Sequence, residues 1–399
     1  MSLHIINANV VLPDSVLKNA CVTVEDGLIS KIYGSSSGGS VIDAQGAYLM
    51  PGMIDIHSDH IEQVIEPRPG SVMALDFALH EQERQLINNG ITTMYQSLSM
   101  WKTEGRRKAA REDAFVKQIV QTIARLSASP QLITNKMHIR FDLTNLEAIP
   151  ALIDMLDAGY ISLLSFMDHT PGQGQYRDLE RHREYTKALN PGLSDAELNE
   201  RLERRMQAEK VPQKQLIDIA RQANSMGVSI ASHDDDSREK VDFVRNMLHA
   251  TISEFPVELD VARYAKESGM ATLGGAANVM LGKSHAGNLS ATEGIQNGCI
   301  TILCSDYYPP SMLQAVFKLH KDFGMPLHEC AKFVTLAPAE AVGIGDRVGS
   351  IEEGKVADMI LLDAAGDYPR LTAAITNGRV VSTLNYAENR KAYSIAKGA

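Results

Sequence analysis

The amino-acid sequence predicts an α/β protein: a (β/α)8 TIM-like barrel with a small β-sandwich domain formed by both chain termini. Three observations carry that expectation. Both ends of the chain are β-rich and punctuated by turns, the middle repeats strand, loop and helix, and His and Asp residues stand where the candidate strands stop. The 399 residues, 44% of them hydrophobic, suffice for a barrel of roughly 250 residues plus a small accessory domain.

In chain order, the first short strands are His4 to Leu12, Cys21 to Val24 and Leu28 to Ile32, broken by Pro13-Asp14, Asp26-Gly27 and the Gly34 to Gly39 loop. The far end has the same texture: a turn-rich Gly349 to Gly354, a strand at Ala357 to Leu362, and a second at Ile375 to Val381 around Asn377-Gly378. Neither end can bury a hydrophobic face alone, so pairing them is the economical solution. The expected division assigns 1–50 and 345–399 to the β domain and 51–344 to the barrel.

Candidate barrel strands lie at 53–59, 91–99, 137–144, 161–168, 228–233, 250–254, 270–275 and 300–306. Helices between them carry end signals. Ser290-Ala-Thr-Glu293 has the capping-box form, and Pro256 opens a helix that Gly269 closes. A doubly wound open sheet is the competing architecture. One connection, 170–212, exceeds the pattern. Its charge density and the capping box at Ser194 to Glu197 predict one or two solvated helices. Long insertions on the catalytic face of a barrel act as lids or clamps, with a dimer contact or a decorative excursion as the alternative.

The formal net charge of -10 argues against a general nucleic-acid partner, although a local basic pocket could still take a phosphorylated small molecule. Four cysteines without CxxC spacing read as reduced thiols in the cytoplasm. The N-terminus lacks a basic flank followed by an apolar core, and no apolar run reaches about 20 residues, so a membrane partner is not expected. A homodimer is the default for a soluble enzyme.

Functional residues of a barrel cluster where strands end. Alternation along PGMIDIHSDH turns His57 and Asp59 to one inward face and His60 away from it. His138, Arg140 and Asp142 share a face of the third strand. Asp168-His169 closes the fourth strand, His233 the fifth and Asp306 the eighth. Imidazoles and carboxylates converging on one mouth are what a catalytic divalent ion requires. His4, His80, His182, His320 and His328 fall in helical or peripheral segments, and His249 falls at the opposite end of the sixth strand.

PGMIDIHSDH resembles the opening motif of amidohydrolases, and GSIEEGKVADMILLD resembles the segment with which those enzymes re-enter their β domain. The resemblance implies that His57, His233 and Asp306 hold metal and that Asp306 is the general base toward attacking water. It also marks departures. Asp59 stands for the second His of the first strand, no Lys ends the fourth strand, and the sixth ends Ser253-Glu254-Phe255-Pro256 without a His. Asp142 or Asp168 could supply the missing bridge, and His169 the lost imidazole. The ion implied is zinc, one or two per chain, with manganese, iron and cobalt as alternatives. HSDHIE, HIRFDL, SFMDHTPGQGQY, ASHDDDS, SEFPVELDVAR, LGGAANVMLGKSHAGN and LCSDYYPPSML, in this order, resemble the alpha-D-ribose 1-methylphosphonate 5-triphosphate diphosphatases of the carbon–phosphorus lyase pathway. In that family the third-strand carboxylate is expected to be the longer Glu.

Phosphate chemistry has its own signal. Gly282 to Asn288 is a Gly-flanked basic loop in which Lys283 and His285 could neutralise phosphate oxygens, joined by Arg68, Arg140 and Arg177. The expected reaction releases pyrophosphate from a ribosyl triphosphate. Deamination, cyclic-amide opening and N-deacylation are the alternatives, and a metal-free scaffold is a third.

Overall fold

The computed structural model describes residues 2–33, 39–101, 109–282 and 288–386. Eight parallel strands form the central sheet in chain order: Met53–Ser58, Ile91–Met100, Thr134–Asp142, Leu163–Met167, Ser229–His233, Ile252–Glu254, Ala271–Gly275 and Ile302–Cys304. A parallel bridge between Ser58 and Asp306 closes the ring. There the Asp59 N–H donates to the Asp306 carbonyl at 2.8 Å, and the Asp306 N–H donates to the His57 carbonyl at 3.1 Å. Ring closure removes the edges an open sheet would expose. The eight expected strands are all present, each shifted by only a few residues.

The strands are apolar because both faces are covered. Ile54, Ile56, Tyr95, Leu163, Ile252, Leu273 and Ile302 belong to one buried cluster. Outside, helices such as Asp113–Leu126 lay an apolar stripe of Val116, Ile119, Val120 and Ile123 against the sheet.

Both chain ends build one small β domain, as expected. Its strands join in a single mixed sheet rather than two separate ones, because Ser2–Val11 pairs with Val16–Glu25 and also, in parallel, with Ser40–Asp43 and Tyr48–Pro51. Tyr48–Pro51 then pairs with Met359–Asp363 from the far end. Leu3, Val22, Met359 and Ile375 share one core, so the sheet's two halves bury each other. Asn377-Gly378, both at positive φ, turns the hairpin between Arg370–Thr376 and Arg379–Thr383.

The two capping boxes fare differently. Ser194 and Glu197 make both reciprocal bonds at the start of Asp195–Met206. Ser290 makes no side-chain cap; Asn278 on the preceding helix instead takes its hydroxyl at 3.5 Å and the Ala291 N–H at 3.0 Å. The 170–212 connection contains the helices Leu179–Leu189 and Asp195–Met206, the second burying Leu198 and Leu202. Among the described residues no helix is long and apolar enough to cross a membrane.

Candidate metal centre

Two groups of ionisable side chains occupy the carboxyl end of the barrel. The deeper one begins where the first strand's pairing shifts between Asp55 and Ser58. Asp55 Oδ1 accepts the His57 N–H at 3.3 Å and the Ser305 N–H at 3.1 Å, stitching the first strand to the last. Burial pushes its carboxyl up to about 7. His57 Nδ1 lies 2.9 Å from Oε1 of Glu254, which ends the sixth strand. His138 stands 3.8 Å from that oxygen through Nε2, which also meets Ser165 Oγ at 2.9 Å, while its Nδ1 lies 3.0 Å from the Ile56 carbonyl. His138 and Glu254 are fully buried.

The second group lines the wall above. Asp142 accepts from the Thr144 N–H and hydroxyl through Oδ1 and meets His169 Nδ1 at 3.1 Å through Oδ2. That bond turns His169 Nε2 toward Asp234 Oδ2, 3.9 Å away, which lies 2.9 Å from His233 Nδ1. Donor atoms of His169, His233 and Asp234 all fall within 4.8 Å of one another. His169 Nε2 is buried without a hydrogen-bond partner, and His233 Nδ1 and Asp234 Oδ2 meet each other at 2.9 Å. A stranded polar atom costs about 1–3 kcal/mol, and three converging nitrogen and oxygen donors are the set a divalent ion satisfies together. The residues fit a metal. Burial holds His57 well below its ordinary value and lowers His169, keeping both as the neutral imidazoles that ligate.

A cavity of about 210 Å³ opens onto this wall, lined also by Asp59, Arg111, Arg140 and Asp306. Burial, reinforced by the charge of Glu62, raises Asp59 to about 6. Arg111 grips Glu62 through Nε at 2.9 and 3.0 Å and through Nη2 at 2.8 Å, and stands 4.0 Å from Asp59. Arg140 Nη2 lies 3.2 Å from His233 Nε2. Three residues at this rim, Asp234, Phe255 and Asp306, have left-handed φ of 54, 53 and 60°. Such strained backbone is concentrated at functional sites.

The 170–212 insertion walls the cavity with Gln175 and Tyr176. Arg205 of its second helix donates to the His169 carbonyl at 2.7 Å, and its guanidinium lies 5.8 Å from the Trp101 ring and 5.9 Å from that of Tyr176. His182 stacks on Tyr176 with ring centroids 4.1 Å apart.

The structure gathers His57, Asp59, Asp142, His169, His233, Asp306 and Arg140 around this mouth. Asp168 turns away, bound to Lys210 at 2.7 Å. Arg177 pairs with Glu258, Arg68 is exposed, and neither lines the cavity. Lys283 and His285, like most of the Gly34 to Gly39 loop, lie outside the described residues. His60 lies past the strand, opens the helix His60–Ile65 and faces a separate surface pocket with Gln63 and Tyr308. Sequence reasoning missed Glu254, Asp234, Asp55 and Arg111. The first two carry the strand-end signal and were readable in SEFP and SHDDDS. Arg111 reaches the mouth from a loop and carries no such signal.

Barrel, terminal β domain and strand-end donor set together define a class of hydrolases, and comparison agrees. The chain belongs to the amidohydrolase family, whose profile matches residues 48–389. It is a hydrolase, 31% identical over 362 residues to the alpha-D-ribose 1-methylphosphonate 5-triphosphate diphosphatase of Escherichia coli (strain K12), covering 89% of this chain and 93% of that relative. An imidazolonepropionase of Thermoplasma volcanium is 20% identical over 383 residues, 89% of this chain and 86% of the relative. The N-acetylglucosamine-6-phosphate deacetylase of Pasteurella multocida shares the fold, with a TM-score of 0.65 at 13% identity over 95% of this chain and 99% of that one. A dihydropyrimidinase from Brevibacillus agri superposes with a TM-score of 0.63 at 14% identity, covering 96% and 95%.

Proposed function

We propose that the protein releases pyrophosphate from alpha-D-ribose 1-methylphosphonate 5-triphosphate, leaving the 5-phosphate. The observation that carries this reading is the 31% identity, over nearly the full length of both chains, to the Escherichia coli diphosphatase. The lining of the cavity supports it. Two guanidinium groups, Arg111 and Arg140, stand beside the candidate metal donors, the pairing of cations that a polyphosphate needs.

His169, His233 and Asp234 would hold a divalent ion, with His57, Asp59 and Asp306 beside them for the same ion or a second. Asp142 acts on the centre through His169. Imidazole with carboxylate favours zinc, and manganese, iron and cobalt are the competitors. When bound, the ion supplies Lewis acidity that makes water reactive near neutral pH. Asp306 accepts the proton of the water that attacks the α-phosphorus. The bond from that phosphorus to the bridging oxygen breaks, and its electron pair leaves on pyrophosphate. Arg140 and Arg111 neutralise charge on the departing group, with Lys283 and His285 as further candidates. The half-buried rings of Trp101 and Tyr176 limit the access of bulk water to the reacting bond.

The test is a single assay of metal-loaded protein on the ribosyl triphosphate, with pyrophosphate, orthophosphate and ammonia all measured. One pyrophosphate per substrate is expected. Ammonia or a free amine from amide and amidine substrates, with no pyrophosphate, would instead assign the protein to carbon-centred amidohydrolases. The imidazolonepropionase similarity favours that second reading.

A further inference from the structure

Glu254 stands where the resemblance leads one to expect a sixth-strand histidine, and it is fully buried. Its place is set by the barrel: Glu254 pairs with His233 on the neighbouring strand, and its carbonyl accepts the Asp234 N–H at 2.8 Å. No Lys or Arg forms an ion pair with it among the described residues. Its charged-group neighbours within 4.0 Å are the imidazoles of His57, at 2.9 Å, and His138, at 3.8 Å. Burying a carboxylate without a cation is expensive, so an arrangement that retains one points to a task.

We propose that Glu254 is a positioning residue for the metal centre: it accepts the Nδ1–H of His57, fixes that tautomer, and leaves Nε2 as the ligating atom. This rests on the reading of the mouth as a metal centre. Three contacts hold the His57 ring for this purpose. Glu254 takes one edge, the His138 ring packs in a T-shape 5.2 Å away, and the Phe255 ring does the same at 4.9 Å. His138 is itself anchored at both nitrogens, by the Ile56 carbonyl and Ser165, so it braces Glu254 rather than competing for an ion. A ring left to rotate would offer either nitrogen, and fixing one of the two is how outer carboxylates raise metal affinity. The rival assignment makes Glu254 itself a ligand, through the Oε2 that has no partner in the structure.

Long-range ¹H–¹⁵N spectra of the metal-free wild-type protein, with His57 assigned by difference against His57→Gln, read the tautomer directly. A proton on Nδ1 is expected, and a proton on Nε2 overturns the proposal. Metal titration supplies the second readout. Glu254→Ala should weaken zinc binding by about 10- to 100-fold, and Glu254→Gln by less, since its amide oxygen can still accept the proton. Both variants should reach wild-type stoichiometry at saturating zinc. Unchanged affinity in Glu254→Ala overturns the proposal, and so does loss of a whole equivalent of zinc in Glu254→Gln, which would make Glu254 a ligand. Absence of zinc binding by the wild type would instead remove the metal centre itself, and the tautomer measurement would still decide what Glu254 does to His57.

Discussion

The floor and the wall of the barrel mouth are built from the same residue types, yet the cavity reaches one of them and not the other. On the floor, the imidazoles of His57 and His138 meet carboxylate, hydroxyl and carbonyl, and Oε2 of Glu254 is left without a partner. On the wall, His169, His233 and Asp234 converge at similar distances, and the buried His169 Nε2 is left without a partner beside the His233–Asp234 pair. A protein tolerates such unmet atoms where something else completes them. The cavity opens on the wall, where His169, His233 and Asp234 line it.

That contrast can be broken or sharpened by substitution. The largest effect is expected for Asp306→Asn at the rim. Loss of the base should lower kcat by on the order of 10³-fold or more, with the thermal unfolding midpoint unchanged. Near wild-type pyrophosphate release would remove Asp306 from the chemistry. Next comes His233→Ala, which takes away one of the three wall donors. Elemental analysis after dialysis should show most of the bound metal gone, and full occupancy would reassign the wall.

Arg140→Met should cost roughly 2–4 kcal/mol in kcat/KM for a triphosphate, as oxyanion contacts do. Arg177→Ala and Arg68→Ala, outside the cavity, should stay within about twofold of wild type. Equal losses in all three would mean that bulk charge matters rather than the wall. A smaller effect is expected for Arg205→Met, which removes the bond to the His169 carbonyl and the stacking on Trp101 and Tyr176. About 1–2 kcal/mol of stability should be lost, read from denaturant unfolding. His60→Ala should leave metal content unchanged. If it loses metal while Asp59→Ala keeps it, the first strand's inward face is misassigned.

The comparison also shows where reading a sequence succeeds. Strand-end His57, Asp59, His169, His233 and Asp306 were legible because a period of two assigns each to a face and barrels concentrate chemistry at one end. Glu254 and Asp234 obey the same rule, but expecting a histidine on the sixth strand hid the glutamate. Arg111 was not legible at all. It arrives from a three-residue 3-10 turn, and its partner Glu62 is 49 residues away in sequence. The Ser290 cap failed for a related reason, since its hydroxyl turns to Asn278 on another helix rather than back to its own first turn.

By itself, then, the sequence determined which residues lie on strands, which faces they share and that the two chain ends belong to one β domain. Those are consequences of local periodicity and of hydrophobic faces that must be covered. It took the tertiary structure to show that Asp142 bonds His169, that Asp168 is tied up by Lys210, and that the buried His169 Nε2 is left without a partner. Such choices depend on angstrom distances between residues remote in sequence, set by ring closure and by the insertion packed over the mouth, and no local pattern encodes them.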